Sequence, residues 1–229
     1  MVSTLSPRTL LATFPLFREL APEQLDHIGV HTRQVRGARG EILFHRGDVL
    51  NGFHVIVYGQ VKLAFVSADG DEKVVEILGA GSSFGEAVMF ERRPQVVTAQ
   101  ALTDTLLLYV EREAVFAELE RDAGFATRMM AGLARRLHQL MADLEAHSMR
   151  SGTERVIGFL LHRCSDSLPE GGSAEVTLPT TKGVVASRLN LTQEHFSRIL
   201  RDLGLAGLIV VRGRTVRIHD IGRLRAHGA

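Results

Sequence analysis

The chain of 229 residues has no tryptophan, two tyrosines and a single cysteine, Cys164. One cysteine excludes an intramolecular disulfide and any iron–sulfur cluster built from four cysteines of one chain. No apolar run reaches the roughly 18 residues that a membrane span requires. The opening MVSTLSPRTLLATFPLFREL sets no basic segment before a long apolar core, so no signal peptide is expected. There is no GxGxxG and no βαβ alternation, which removes a dinucleotide-binding reading. No motif pairs a nucleophile with its base. Glu86 near Arg92 and Arg93 is the one clustered chemistry, and a structural ion pair accounts for it equally well, so catalysis is not expected. These absences together point to a non-enzymatic protein of the cytoplasm.

What is present is ordinary globular composition, 45% hydrophobic and 23% charged, in a length that allows one large domain or two modest ones. The net charge of +1 conceals an asymmetry. Residues 148–229 carry 12 Lys+Arg against 7 Asp+Glu, a net of +5, which leaves −4 on residues 1–147. A basic C-terminal third suits attraction to phosphates confined to one end of the molecule.

Along the chain, residues 5–29 read as helical, with a break at Pro15 and a fresh start near Pro22. From about residue 30 to 110 the pattern becomes short strands, at 42–44, 53–58, 61–66, 73–78, 96–102 and 105–110, with glycines between them and a hairpin signal at Asp69-Gly70. Many short strands with glycine turns predict a β-barrel or sandwich. Helix then resumes. Within about 122–147, Ala126, Met130, Leu133, Leu137, Leu140, Leu144 and His147 recur alternately four and three apart. That is an a/d seam, which predicts a two-stranded coiled coil and hence a homodimer, the alternative being a helix packed on its own sheet. Residues 148–152 are the expected hinge, 153–164 a helix and 168–172 a surface loop. His162 and Cys164 stand without a second ligand pair and read as core filler rather than metal ligands.

Residues 181–209 carry the sharpest motif. Val184, Val185 and Leu189 mark a first helix, Asn190 and Leu191 the break, and Thr192 an N-cap. Phe196, Ile199, Leu200 and Leu203 then form one apolar stripe, opposite Gln193, Glu194, Ser197, Arg198 and Arg201. Arginine bonds guanine O6 and N7, and glutamate accepts from cytosine N4, so the pattern predicts a helix-turn-helix that reads the major groove of double-stranded DNA. Alternation at 208–211 and 215–219 around Arg212-Gly213-Arg214 predicts a hairpin wing.

A β-domain, a long helix and a winged helix-turn-helix, in that order, resemble the CRP/FNR family of transcription regulators. The residues that carry the resemblance are Gly40-Glu41, Phe44, Gly47-Asp48, Gly59-Gln60-Val61, Phe84-Gly85-Glu86, Ala134-Arg135-Arg136-Leu137, Thr192 and Ser197-Arg198-Ile199-Leu200. It implies an α+β chain: a jelly-roll sensor domain of the cyclic-nucleotide-binding kind (a double-stranded β-helix) over 1–120, a dimerisation helix over 121–148 and a winged helix-turn-helix over 149–229. It implies a homodimer joined along Met130, Leu133, Leu137, Leu140 and Leu144, with RNA polymerase as a further partner if the protein is an activator. DNA contacts fall on Lys182, Thr192, Gln193, Glu194, Ser197 and Arg198. Glu194, Ser197 and Arg198 resemble the FNR branch, which implies a TTGAT-type half-site in an inverted repeat.

The implied effector pocket comprises Glu86, Gln95, Val96, Leu137, Leu140 and Met141. Glu86 matches the family's ribose ligand. Gln95 and Val96 stand where the Arg-Ser pair of the cyclic-AMP branch should grip phosphate, and Leu140 and Met141 where its Thr-Ser pair should bond adenine. A neutral amide lacks the charge-assisted contact a cyclic phosphate favours, so cyclic AMP is not expected. The apolar replacements suit haem. Residues 86–90, 98–101 and 136–139 resemble the nitric-oxide-responsive dissimilatory nitrate respiration regulators of the family, with His45, His54, His138 and His147 as the open choices for an iron ligand.

Overall fold

The computed structural model describes residues 5–67, 69–164 and 172–228, with His147 by its backbone alone. The chain divides into two compact units, residues 1–138 and 139–229.

In the first unit the expected sandwich is present. One four-stranded sheet runs β1 (Thr32–Gly37), β8 (Thr105–Glu111), β3 (Gly52–Tyr58), β6 (Ser83–Phe84). The other runs β2 (Ile42–Phe44), β7 (Thr98–Ala101), β4 (Gln60–Val66), β5 (Glu72–Gly79). All pairings are antiparallel. Strand periodicity sorts the residues of β3 and β8. Ile56 and Leu107 join Phe44, Val61, Leu63, Leu78, Phe84 and Ala99 between the sheets. Phe53, Val55, Leu108 and Val110 face the opposite way, onto α1 (Pro7–Leu11), α2 (Pro22–Val30), α4 (Arg112–Arg121) and the start of α5 (Ala123–Met149). Burial on both faces explains why β3 and β8 are almost wholly apolar.

Several expectations are corrected. Residues 12–20 are turns rather than helix, because the residue before Pro15 is driven from the α region. Phe14, Phe17 and Leu20 on those turns are buried in the helix-facing core. Strand β1, TRQVRG, was hidden by its polarity, which an edge strand tolerates. Strand β7 is shorter than expected, and α3 (Glu86–Glu91) interrupts the strand series. Gly59 shows why the Gly-Gln-Val turn needs glycine: its φ is 93°, and a Cβ would lie 2.3 Å from Thr105 Oγ1 and 2.7 Å from Asp104 O.

The second unit holds residues 139–149 of α5, α6 (Gly152–His162), α7 (Lys182–Arg188), α8 (Gln193–Leu205), α9 (Ile221–His227) and a sheet ordered β10 (Ile209–Arg212), β11 (Thr215–Ile218), β9 (Ala174–Thr177). Residues 139–149 thus group with the C-terminal unit. Helix α6 opens with a capping box: Glu154 N donates to Ser151 Oγ at 3.2 Å, and Ser151 N to Glu154 Oε2 at 3.1 Å. The loop expected at 168–172 lies outside the described residues except for Gly172.

Candidate nucleic-acid interface and sensor site

Helix α7 begins at Thr181, whose Oγ1 accepts from Val184 N at 3.4 Å. It ends at Leu189, and Asn190 follows with φ 56°, the left-handed geometry asparagine tolerates better than most residues. Leu191 N then donates back to Ala186 O at 2.9 Å, closing the turn. Thr192 caps α8 as expected, accepting from His195 N at 3.2 Å. Phe196, Ile199, Leu200 and Leu203 are buried against Val156, Ile157, Leu160, Val185, Ala186 and Leu189. That packing leaves Gln193, Glu194 and Arg198 exposed and Ser197 and Lys182 half-exposed. Gly183 leaves room for Gln193, whose Oε1 sits 2.7 Å from where a Cβ would be. The wing turns at Gly213, φ 60°, with Arg212 and Arg214 exposed beside it. Helix, turn, helix and wing therefore form one apolar-cored unit that presents arginine, glutamate, glutamine and serine on one short helix.

In the first unit, Glu86 and Gln95 are buried, at 8% and 4% exposure, whereas Val96 is 58% exposed. Burial raises the Glu86 carboxyl above the ordinary range, opposed by a hydrogen bond from Ser83 and by the charge of Arg136. Arg136, on α5, donates to Ser83 O at 2.9 Å and pairs with Glu76 on β5. A polar chain thus runs Glu86–Ser83–Arg136–Glu76, tying the start of α3 to α5. Arg136 stood inside a quoted motif, yet no spacing rule assigned it this role. Gln95 anchors its loop through its backbone: its N donates to Asp48 O, and its carbonyl accepts from Gly47 N, both at 2.8 Å. Its side-chain Nε2 is buried, has no hydrogen-bond partner among the described residues, and lies 3.8 Å from the Cβ position of Gly85. Arg93 is exposed and pairs with Glu91 at 3.6 Å. Arg92 is exposed too, with φ 54°.

The remaining expected pocket residues lie on α5. Leu137 belongs to the first unit, and Leu140 and Met141 to the second, with exposures of 58%, 42% and 61%. Met130 and Leu144 are exposed as well, and Leu133 is half-buried. Phe125 and Met129, which the seam did not include, are buried in the helix-facing core.

Of the candidate iron ligands, His54 is buried between aromatic rings. Phe84 stacks on it with centroids 5.0 Å apart and planes at 11°, while Phe44 and Tyr109 lie at 5.8 and 5.0 Å. Burial, with a smaller contribution from Arg33, lowers its pKa to about 3, so it is a neutral imidazole. Among the described residues its Nδ1 has no hydrogen-bond partner, and it is shut off from solvent. Enclosed by three rings and uncharged, the His54 imidazole packs as part of the β-sandwich interior. His45 and His138 are exposed, and the side chain of His147 lies outside the described residues. Among the described residues no group of three or more His, Cys, Asp or Glu is arranged to hold a metal ion.

Comparison with known proteins agrees with both halves. The cyclic nucleotide-binding domain family matches residues 34–122, and the Crp-like helix-turn-helix family matches residues 154–227. The CRP-like cAMP-activated global transcriptional regulator of Mycobacterium tuberculosis is 26% identical over 94% of this chain and 96% of its own. The crystal structure of DNR from Pseudomonas aeruginosa is 31% identical, covering 96% of each chain with a TM-score of 0.50. A CooA mutant from Carboxydothermus hydrogenoformans, 20% identical, shares the fold with a TM-score of 0.77 over 98% of this chain and 100% of its own. With a β-sandwich of the cyclic-nucleotide-binding type before a winged helix-turn-helix, the chain belongs to the CRP/FNR family of DNA-binding transcription regulators.

Proposed function

We propose that two copies of this chain, joined along the exposed apolar edge of α5, bind an inverted repeat of TTGAT-type half-sites in the cytoplasm. The observation that carries this is α8: four apolar residues buried, and Glu194, Ser197 and Arg198 left on the outer face behind a capped first turn. In this reading Arg198 bonds guanine, Glu194 the paired cytosine and Ser197 a thymine, in successive major grooves about 34 Å apart. Lys182, Thr192 and Gln193 then lie at the edge of the groove, where backbone phosphates are met. Arg198→Ala is expected to cost about 1–3 kcal/mol at the consensus guanine and to relax selectivity there. A gel-shift series across all four bases at that position tests this, and unchanged selectivity would overturn the assignment.

The effector we propose is a haem-type group responsive to nitric oxide rather than a cyclic nucleotide. Supporting it are the neutral Gln95 and the neighbouring apolar Val96, where a cyclic phosphate favours a charged partner, and the sequence resemblance of residues 86–90, 98–101 and 136–139 to nitric-oxide-responsive regulators of the family. Haem would supply an iron that binds a diatomic gas, and the chain's part would be to hold it against apolar side chains. Of the candidates His45, His54, His138 and His147, we take His138, next to Leu137 in the chain and exposed, as the ligand to test first. An absorption spectrum of the haem-reconstituted protein and of His138→Ala tests the assignment: a Soret band that shifts with nitric oxide only in the parent is the expected result. No band in either, together with heat released on cyclic AMP addition, would favour the cyclic-nucleotide reading that the Mycobacterium tuberculosis relative's name carries. No band and no heat, with specific DNA binding by the protein alone, would favour a ligand-independent regulator.

A further inference from the structure

Two guanidinium groups, Arg188 on α7 and Arg155 on α6, tie residues 139–149 of α5 to the turn of the helix-turn-helix, and neither belongs to α8 or to its apolar stripe. Arg188, in the last turn of α7, forms an ion pair with Asp143 of α5; their side chains are 18% and 23% exposed. Gln139 Nε2 adds a hydrogen bond to Asp143 Oδ1 at 3.3 Å. From α6, Arg155 donates through Nε to Leu189 O at 2.9 Å, through Nη1 to Arg150 O at 2.7 Å and through Nη2 to Asn190 O at 3.4 Å. One side chain therefore holds the carbonyls at the end of α7 and the carbonyl at the end of α5 together. The recognition helix starts three residues after Asn190.

We propose that Asp143 and Arg188 are a positioning pair for DNA recognition: their bond sets the angle at which α8 is presented, and sequence-specific binding depends on it while non-specific binding does not. The inference rests on the reading of α8 as the recognition helix. A half-buried guanidinium–carboxylate pair is directional, and removing one partner strands the other charge where water reaches it poorly. The leverage is geometric. Arg198 lies about 7.5 Å along the axis from Gln193, so a tilt of roughly 10° about the turn moves its base by about 1 Å. A bidentate contact to a base edge does not survive that displacement intact.

The other role open to Arg188 is direct contact with a DNA phosphate, and the two roles differ in salt dependence. A lost phosphate contact lowers the slope of log affinity against log salt by about one and weakens all sequences alike. A lost positioning contact lowers the specific-to-non-specific ratio and leaves the slope alone. The test uses the full-length protein with a site selected from a random duplex pool and a scrambled duplex, each titrated across salt. Asp143→Asn and Arg188→Gln are expected to lose specific affinity by roughly tenfold, with scrambled binding and salt slope unchanged. Exchanging the charges, Asp143→Arg with Arg188→Asp, is expected to recover most of what either single reversal loses. Should the exchanged protein fail to fold, Arg188→Lys, which keeps the pair, is expected to retain more specificity than Arg188→Gln. Equal loss on both duplexes with a shallower slope for Arg188→Gln, and no effect of Asp143→Asn, would overturn the proposal, as would tighter specific binding by Asp143→Asn. A parent protein with no sequence preference would instead overturn the reading of α8 on which the pair rests.

Discussion

At the scale of single residues, His54 and Glu86 are titratable groups placed where water does not reach. His54 has a folded pKa of about 3 against 6.5 for the free side chain. Between those values the unfolded chain binds a proton that the folded chain refuses, so stability falls as pH drops below about 6.5. His54→Phe keeps an aromatic ring against Phe84 and removes both the titration and the unpartnered Nδ1. It is expected to flatten the acid side of the stability profile by up to about 1.4 kcal/mol per pH unit. Urea unfolding of both proteins at about pH 5 and about pH 7.5 checks this, and parallel losses would rule it out. None of this was visible in the residue string, where His54 was one of four equivalent histidines. Burial distinguishes it, and burial depends on Phe44, Phe84 and Tyr109, which come from three other strands.

At the scale of elements, tight turns and capped helices were the readable parts. Thr192 and the stripe Phe196, Ile199, Leu200 and Leu203 specify α8 locally, since cap and periodicity lie within one helix. The turn at Gly59 shows where local reading stops. Gly59 and Gly70 both have positive φ, near 93° and 88°, yet only at Gly59 would a Cβ collide with neighbouring atoms, those of Asp104 and Thr105. Gly59→Ala is therefore expected to cost about 2–4 kcal/mol, and Gly70→Ala only about 1 kcal/mol, in chemical denaturation. Equal costs would mean that the approach of Thr105 is relieved by a small shift. Elements missed in the sequence share one cause. Strand β1 is polar because it pairs only with β8, and α3 is too short for periodicity to register.

At the scale of the whole molecule, each unit carries its own core, and α5 runs from one into the other. Its first turns bury Phe125 and Met129, while Met130, Leu137, Leu140 and Leu144 remain 42–67% exposed. An apolar row of that kind is where a second copy is expected to dock. Leu140→Asp combined with Leu144→Asp sets like charges across that seam. The doubly substituted protein is expected to sediment as a monomer and to lose its grip on an inverted repeat while still binding scrambled DNA weakly. A dimer of parental strength would place the interface elsewhere.

The order of domains, helix α8 with its outward Glu194, Ser197 and Arg198, and the absence of a four-cysteine cluster were determined by the sequence alone. Each rests on composition or on spacing within one element, and a helix or a turn writes its own pattern into a few consecutive residues. The enclosure of His54, the polar chain from Glu86 to Glu76 and the bond between Asp143 and Arg188 were decided only by tertiary structure. Their partners are separated by tens of residues, brought together by the packing of buried apolar faces, and no local pattern encodes which charged side chain will meet which once those faces close.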